Sequence, residues 1–516
     1  MRYSYSKENL NCKEQALQRW LEIIPGFTSW VIIIGLTTAS IFFPYVAATI
    51  IVAFYLYWLL RLIYMTTFLA VSYFCLNKEK NTDWLQRINE ANTKNPSLPT
   101  SNTIYHLVLF PVIKEGADIT EPAVAAIKYQ SFNRKQIIVV FALEERAQEH
   151  IKEDIANICK KYKNDFFDCF FVIHPSNIAG EARVKGANVT YAARYANDYL
   201  KAHHINPDHV IVSCFDADTV VDTQYFPCLT YHFITTPDRD RASFQPIPVY
   251  NNNIWHVPGF ARVLEIGSSF FQLIEATNPD KLVTFSSHSM SFKALVDVDY
   301  WPVDMISDDS AIFWKCYIHY DGNYRTVPMY VTLSMDVAVG NDLWDTIKSV
   351  YKQKRRWAWG VENFPLIIRA FLMKNDIPLW DKIRHAFKMY EGHVSWASWG
   401  FVLSIIGWLP ILFAHPDFES SVVYYNVPFI AGTIFNLAFV SLLISIFLSI
   451  ALLPKTNQRF GWALKFGHAL EWLLVPGILL FLSALPALDA QTRLMFGKYM
   501  EFWVTDKKRS LRVAEA

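Results

Sequence analysis

The segment HVIVSCF, His209–Phe215, has the length and composition of a buried strand, and it runs directly into Asp216-Ala217-Asp218. A continuous apolar run of this kind is typical of a strand that is covered on both faces. Both carboxylates then project at the carboxyl end of the strand, on the same side of a short turn. In open α/β sheets, ligands bind beyond these strand ends. The segment therefore predicts an α/β domain with a polar site at 216–218.

Strand-like and helix-like runs alternate upstream of this segment. The strand-like runs are Tyr105–Ile113, Gln136–Phe141 and Asp168–Ile173, and the helix-like runs are Glu121–Gln130, Arg146–Tyr162 and Glu181–Ala202. Such alternation predicts a mostly parallel sheet flanked by helices. We assign this α/β domain to residues 77–384.

Apolar segments flank the α/β domain on both sides. Of the 516 residues, 52% are hydrophobic and 18% are charged, which favours a membrane protein. A spanning helix needs about 20 apolar residues. The segments of suitable length are Phe27–Phe43, Val46–Phe74, Val394–Ala414, Val427–Leu453 and His468–Leu488. We expect two transmembrane helices within 26–76, with a buried globular hairpin as the alternative, and transmembrane and interfacial helices within 385–490.

The charges between these segments predict their orientation. Basic residues cluster in 455–467, whereas 415–426 carries only acidic charges, so the first stretch is predicted to be cytosolic and the second external. Two spans precede the α/β domain, which then lies in the cytosol with the N-terminal segment 1–25. We expect a multi-pass protein of the plasma (inner) membrane.

The C-terminal tail, 491–516, is also basic and is predicted to be cytosolic. A single span at 468–488 would place the tail outside. A re-entrant or interfacial pair of half-helices, broken near Pro476-Gly477, keeps it inside. Broken helices occur at membrane depth where protein buries them, and we favour this interpretation over a full span.

Charge and cysteine content exclude other classes of protein. The formal net charge is +1, so no overall field attracts nucleic acid. The seven cysteines are scattered without CxxC spacing, which argues against a disulfide framework or a structural zinc site.

Two acidic motifs are candidate site elements. Asp216 and Asp218 offer the oxygen ligands that Mg²⁺ prefers, with a solvated acidic turn as the alternative. Ser307-Asp308-Asp309-Ser310 precedes an apolar helical run. Helix capping is the simpler interpretation of this second motif, and it is compatible with a carboxylate that accepts a proton from a substrate hydroxyl.

A basic and aromatic motif lies inside the helical segment Asp342–Met373. Gln353, Arg356 and Trp357 recur at i, i+3 and i+4, so they share one helix face. We expect this face to line a site, because guanidinium groups bind phosphate and an indole offers a wall for a sugar ring. A membrane-interface helix is the alternative. Lys354 and Arg355 are predicted to face lipid headgroups or water.

Together these motifs resemble the membrane-embedded family 2 glycosyltransferases, which include cellulose, chitin and hyaluronan synthases and carry the pattern D, DxD, (T/E)D, QxxRW. The resemblance implies a GT-A-like fold, with Asp216 and Asp218 holding Mg²⁺ or Mn²⁺ and Asp216 also near the donor. It implies that Asp309 is the catalytic base with Asp308 beside it. The QxxRW residues, Gln353, Arg356 and Trp357, would contact donor and acceptor.

Other segments are similar to this family's pattern. Glu115 ends a stretch like its opening P-x-x-N-E, with Lys114 in place of Asn, and Lys185 begins a stretch placed near the donor diphosphate. Residues 502–507 (FWVTDK) resemble the gating element of the processive members. The family's usual nucleotide-contacting Asp is missing after the second strand, where Glu144 or Glu145 is the candidate substitute and an exposed acidic loop the alternative.

The resemblance implies inverting, metal-dependent transfer from a nucleoside-diphosphate sugar to a growing polysaccharide, with coupled export. The alternative is transfer of one sugar to a lipid-linked or surface acceptor. A non-enzymatic transporter or scaffold is disfavoured, since we find no inverted repeat. Membrane lipids are expected partners and nucleic acid is not. The sugar, the base and the oligomeric state stay open.

Overall fold

The computed structural model describes residues 10–454, 461–501 and 503. Its α/β domain is built on one eight-stranded sheet of order β3-β2-β1-β4-β7-β6-β8-β5. The strands are β1 Tyr105–Val112, β2 Ile137–Glu144, β3 Asp168–His174, β4 Val210–Cys214, β5 Val220–Val221, β6 Ala242–Val249, β7 Ser289–Ser291 and β8 Arg325–Ser334.

The sheet is mixed, with more parallel than antiparallel strand pairs, as predicted. Strands β1 to β4 are mutually parallel where they pair, and β6 is parallel to β8. Strand β7 runs antiparallel to both of its neighbours, β4 and β6, and β5 runs antiparallel to β8. The departures from a parallel pattern therefore lie at the two short strands β5 and β7.

Nineteen α-helices lie within the described residues. They are α1 Cys12–Phe42, α2 Pro44–Lys80, α3 Trp84–Lys94, α4 Ala117–Lys128, α5 Glu149–Tyr162, α6 Lys185–Ala202, α7 Tyr225–Thr235, α8 Gly259–Ala276, α9 Phe292–Asp297, α10 Asp308–His319, α11 Leu343–Ala358, α12 Asn363–Met373, α13 Leu379–Ser404, α14 Leu409–Leu412, α15 Pro416–Glu419, α16 Val422–Leu452, α17 Gly461–Glu471, α18 Val475–Gly477 and α19 Leu485–Met495.

Both faces of the sheet are covered by helices, which explains the continuous apolar strands. In β2, Val139 and Phe141 join a core that includes residues of α4, α5, α7 and α8. The intervening Ile138 and Val140 join a second core with α6, α9, α10 and α12. This three-layer packing directs the carboxyl ends of β1, β2 and β4 to one edge.

Four described helices are long and apolar enough to cross a membrane: α1, α2, α16 and the helical path Ala463–Met495. The bent pair of Leu379–Ser404 and Ile406–Leu412, with an angle of 44° between its parts, makes a fifth if it counts as one span. Helix α1 begins at Cys12, inside the segment 1–25 that the sequence assigned to the cytosol.

The break near Pro476-Gly477, with a re-entrant or interfacial course, stays a prediction. The path Ala463–Met495 is long and apolar enough for one candidate span, and short 3₁₀, α and π segments replace regular α-helix around the proline. Both ends of the path contact the α/β domain: Glu471 pairs with Arg262 of α8, and Asp489 pairs with Arg355 of α11.

Candidate active site

The ammonium of Lys185 lies among three carboxylates at the edge formed by the carboxyl ends of the strands. Its Nζ is 2.9 Å from Asp216 Oδ1, 2.9 Å from Asp309 Oδ1 and 3.9 Å from Asp308 Oδ2. The predicted DxD, (T/E)D and lysine elements therefore meet in one place, which we call the carboxylate cluster.

Burial acts on these charges in opposite directions. Burial alone would lower the pKa of Lys185, but the charges of Asp216, Asp309 and Asp308 outweigh it and raise that pKa well above its usual value. Burial and the neighbouring Asp309 raise the pKa of Asp308 well above its usual value. Asp308 is almost inaccessible, whereas the Asp309 side chain keeps 23% of its exposure. Asp309 is thus the carboxylate of the pair that a substrate can reach.

The position of Lys185 depends on a close approach by the next residue. Lys185 and Gly186 begin α6. A Cβ on Gly186 would lie 2.2 Å from the carbonyl oxygen of Pro302, far inside contact distance. Glycine at this position lets the start of α6 approach the chain that leads into Asp308 and Asp309.

The capping interpretation of Ser307 is wrong in detail. Ser307 occupies the N-cap position of α10 without a side-chain capping bond. Its Oγ instead donates to Glu362 Oε1 at 2.8 Å, and the backbone N–H groups of Ile306 and Ser307 donate to the same oxygen. Asp308 and Asp309 occupy the first turn, where the helix dipole favours carboxylates.

Asp216 and Asp218 are held by loops far away in the sequence. Ser286 Oγ donates to Asp216 Oδ2 at 2.6 Å. The backbone N–H of Asp336 donates to Asp218 Oδ2 at 2.8 Å, and the Asp218 side chain is fully buried. These bonds fix both carboxylates at the end of β4.

The predicted orientation of Lys354 and Arg355 is wrong. Lys354 is buried against α8, with Nζ 2.8 Å from Glu265 Oε2 and 2.9 Å from Ser268 Oγ. Arg355 Nη1 lies 2.8 Å from Asp489 Oδ2 on α19. Helix α11 is enclosed by α8 and α19. Side chains that would face water on an isolated helix therefore pair with carboxylates of these neighbouring helices.

Tyr250 links Trp357 to the carboxylates. The two rings lie 6.1 Å apart. Burial raises the pKa of the Tyr250 hydroxyl, and the charges of Glu265, Asp216 and Asp218 raise it further. Arg356 partly offsets the shifts of both Tyr250 and Asp308, so its guanidinium acts on the same site.

Gln353 is buried on the same helix. Its Oε1 has no hydrogen-bond partner among the described residues. Arg356 Nη1 approaches the carbonyl oxygen of Trp503 at 3.5 Å. The remaining residues of the predicted gating element, 502 and 504–507, lie outside the described part of the chain.

Glu115 follows β1, and Glu144 is the last residue of the adjacent parallel strand β2. The Glu115 carboxylate accepts the N–H groups of Ile113 and Lys114, both at 3.0 Å, and so closes its own turn. Glu144 pairs with Arg146. Glu145 accepts the N–H of Ser176 at 2.7 Å, and this bond lowers its pKa.

A family model described as glycosyl transferase family group 2 matches residues 211–482. The chain belongs to this family. The match extends from β4 through the carboxylate cluster and α11 into Ala463–Met495. It identifies the protein as a family 2 glycosyltransferase, and together with the helix-covered mixed sheet it confirms the predicted GT-A-like α/β fold between candidate membrane helices.

Curated relatives of this glycosyltransferase include poly-beta-1,6-N-acetyl-D-glucosamine synthases of Staphylococcus aureus. The one from strain COL is 27% identical over 261 residues, which cover 50% of this chain and 53% of the relative. The one from strain MSSA476 is 27% identical over 252 residues, covering 48% and 51%. The match thus spans about half the length of these relatives.

Two solved structures share low similarity with the glycosyltransferase. The mannosyltransferase PcManGT from Pyrobaculum calidifontis, in complex with GDP-Man and Mn²⁺, has 12% identity and a TM-score of 0.41, covering 86% of this chain and 99% of that chain. S. aureus TarS 1–349 in complex with UDP-GlcNAc has 11% identity and a TM-score of 0.37, covering 80% and 98%.

The donor atoms of the carboxylate cluster fit a hard divalent cation. The groups around Lys185 are all oxygen ligands, and their negative charge exceeds that of one ammonium. Oxygen ligands with surplus negative charge suit Mg²⁺ or Mn²⁺. Asp216 and Asp218 are the residues that would hold such an ion.

Four supporting residues of this glycosyltransferase were not predicted from the sequence: Glu265, Ser286, Asp336 and Glu362. Only Glu362 carried a local signal, since it is an acidic residue inside the apolar stretch Trp359–Phe364. The other three act from loops or helices distant in the chain, so no spacing pattern connects them with the motifs.

Proposed function

We propose that this protein is an inverting, metal-dependent glycosyltransferase that moves a sugar from a nucleoside-diphosphate sugar to a growing polysaccharide at a membrane. The observation that carries the proposal is the carboxylate cluster, in which Asp216 and Asp309 share Lys185. Lys185 thereby holds the proposed base, Asp309, close to the proposed donor-binding residue, Asp216.

Asp309 is the proposed catalytic base. It accepts the proton of the acceptor hydroxyl as that oxygen attacks the anomeric carbon from the side opposite the leaving diphosphate, which inverts the configuration. Its accessible carboxylate supports this role. Asp308 is buried and its pKa is raised, so we assign it the role of a neutral neighbour that keeps the start of α10 in place.

The donor diphosphate is proposed to bind between Asp216, Asp218 and Lys185. Asp216 and Asp218 would hold a divalent cation, which would supply positive charge for the departing diphosphate. The Lys185 ammonium, held by Asp216 and Asp309, contributes a fixed positive charge at the same place. Glu115 would support the adjoining turn, and Glu144 or Glu145 would lie near the nucleotide base.

The acceptor is proposed to lie against α11. The Trp357 indole offers an apolar wall for a sugar ring, and Arg356 supplies positive charge. The unpaired Oε1 of Gln353 is available to accept a ligand hydroxyl. A carbohydrate acceptor suits these groups, and N-acetylglucosamine is the first sugar to test, because the curated relatives are named for a polymer of it.

The proposed membrane arrangement has the α/β domain in the cytosol at the plasma (inner) membrane. Both ends of Ala463–Met495 contact that domain, which supports an interfacial or re-entrant course and a cytosolic tail. Membrane lipids then surround α1, α2 and α16.

The test is a donor screen with the full-length protein reconstituted in lipid vesicles. Release of nucleoside diphosphate is measured for several nucleotide sugars, with Mn²⁺, with Mg²⁺ and with EDTA. We expect one donor to be consumed only when a divalent ion is present, and Asp309→Asn to remove that activity. Consumption of no donor, or full activity of Asp309→Asn, would contradict the proposal.

Product length separates the two acceptor classes. A processive synthase yields long chains while most acceptors remain unextended, whereas single transfer to a lipid-linked or surface acceptor yields one added sugar. Size analysis of labelled product from the same reactions decides between them.

A further inference from the structure

Three side chains with metal-binding atoms meet where the end of α2 packs on the α/β domain, away from the carboxylate cluster. Cys228 and His232 are one turn apart on α7, so they share a face of that helix. Glu79 lies in the last turn of α2. The thiol sulfur, an imidazole nitrogen and a carboxylate oxygen all lie within 4.8 Å of one another.

Cys228 is buried while Glu79 and His232 are half-buried, and the hydrogen bonding of these groups is incomplete. Glu79 Oε2 and His232 Nε2 are buried atoms without a hydrogen-bond partner among the described residues. Buried polar atoms are nearly always paired, because an unpaired one costs stability. Two such atoms beside a thiol indicate that something else binds here.

The surroundings hold the side chains in place. The Trp84 ring lies 5.5 Å from the His232 ring, and Trp84 is itself almost fully buried. Helix α3, which carries Trp84, therefore packs directly on the imidazole of the cluster. This packed indole leaves little freedom for the imidazole to turn away.

The side-chain chemistry suits a metal site. A neutral imidazole can coordinate a metal through a ring nitrogen, and the Cys228 thiol beside it is fully buried. A bound metal would displace the thiol proton. The Arg87 charge opposes any cation here, so a weakly held ion such as Mg²⁺ is disfavoured and only an ion that bonds strongly to sulfur and nitrogen would be retained.

We propose that Glu79, Cys228 and His232 bind a transition-metal ion, with Zn²⁺ as the ion that their sulfur, nitrogen and oxygen ligands fit best. Bond lengths of about 2.0–2.3 Å put tetrahedral ligand atoms roughly 3.3–3.8 Å apart, so a small side-chain shift closes the site. A water molecule would complete the four ligands. The absence of CxxC spacing hides this site in the sequence, because it uses one cysteine and two distant helices.

The site would join a membrane helix to the segment behind the DxD motif. Helix α7 begins at Tyr225, shortly after Asp216 and Asp218, with only β5 and a turn between them. A metal bridge from α7 to Glu79 would fix the α/β domain on the end of α2. It would therefore act as a structural link, separate from the reaction.

The test uses Co²⁺ as a spectroscopic substitute in the purified full-length protein. After EDTA treatment and in excess Mg²⁺, one equivalent of Co²⁺ should produce the near-ultraviolet absorption of a thiolate-to-cobalt bond, and Zn²⁺ should displace it. Oxygen ligands at the carboxylate cluster give no such band. Cys228→Ser should abolish the band, and Cys316→Ser, which changes another buried thiol outside the cluster, should keep it.

Two further variants test the other two ligands, so that the result does not depend on Cys228→Ser alone. His232→Gln and Glu79→Gln should lose the tightly bound zinc equivalent in metal analysis while the proteins remain monodisperse. Zinc should raise the melting temperature of the wild type and not of Cys228→Ser. The proposal is overturned if the wild type shows no thiolate band, which is the result expected when water alone fills the cluster. It is also overturned if the band persists in Cys228→Ser.

Discussion

Two buried lysines, Lys185 and Lys354, have carboxylate partners in different numbers. Lys185 faces Asp216, Asp309 and Asp308, whereas Lys354 faces Glu265 alone. The Glu265 pair is neutral overall, and both side chains are almost completely inaccessible. The Lys185 group keeps surplus negative charge and exposed carboxylate oxygens. A balanced buried pair fixes a helix, and the unbalanced group at the sheet edge is where we propose that a cation and a substrate bind.

The largest effect should separate the two neighbouring carboxylates of the unbalanced group. Asp309→Asn should lower kcat by about 10³-fold or more, because the base is lost. Asp308→Asn should lower it by about 10-fold at most, since an amide replaces a carboxyl group that is already neutral. The measurement is donor turnover under saturating conditions, with donor binding as the control for folding. Equal losses would contradict the separate roles.

The balanced pair gives the second effect, on stability. Lys354→Met or Glu265→Gln alone leaves an unpaired buried charge and should cost about 3–5 kcal/mol of unfolding free energy. The double substitution should recover most of it. Thermal unfolding in detergent measures this cycle, and additive losses would show that the two side chains are not coupled.

The same pair should also affect acceptor binding. Lys354 Nζ lies 3.6 Å from the centroid of the Trp357 ring, so it supports the indole from behind. In the recovered double variant we expect KM for the acceptor to rise about 5-fold, equivalent to about 1 kcal/mol of cation–π contact, with kcat little changed. An unchanged KM would show that the contact with Lys354 does not affect acceptor binding at Trp357.

The smallest effect concerns the pH dependence of stability. The folded-state pKa of Asp308 is raised, so the folded protein binds more protons than the unfolded one, and stability falls as pH rises above the ordinary pKa of an aspartate. Asp308→Asn removes this contribution. Its melting temperature should therefore exceed that of the wild type at neutral pH and approach it in acid. A constant difference across pH would contradict the raised pKa.

The first half of the sheet could be predicted because each of its strands has a recognisable apolar pattern in its own sequence. Strands β1 and β4 lie within the predicted runs to one or two residues. The second half could not: β6 contains Pro246 and Pro248, β8 contains Pro328, and proline normally argues against a strand interior. An irregularity between Gln245 and Ile247 accommodates them. Strand β7 has three residues, too few for any periodicity.

The candidate site divides in the same way. The motifs predicted the positions of the carboxylates and of Lys185. These residues lie at the ends of strands or the starts of helices, which converge at one edge of the sheet. They misplaced Lys354 and Arg355, whose partners Glu265 and Asp489 come from helices that helical spacing alone cannot place. The direction of the side chains on α11 is set by the helices that pack around it.

The pairing of α1 with α19 has a consequence for biosynthesis. Ser29 donates to Gln491 and Trp30 to Thr492, so α1 packs against a helix that is synthesised 462 residues later. Helix α11, in turn, is tied to α19 through Arg355 and Asp489. The helix that carries Gln353, Arg356 and Trp357 therefore reaches its final setting only after synthesis has passed Met495. We expect a chain that ends before α19 to lack this setting and to lose donor turnover.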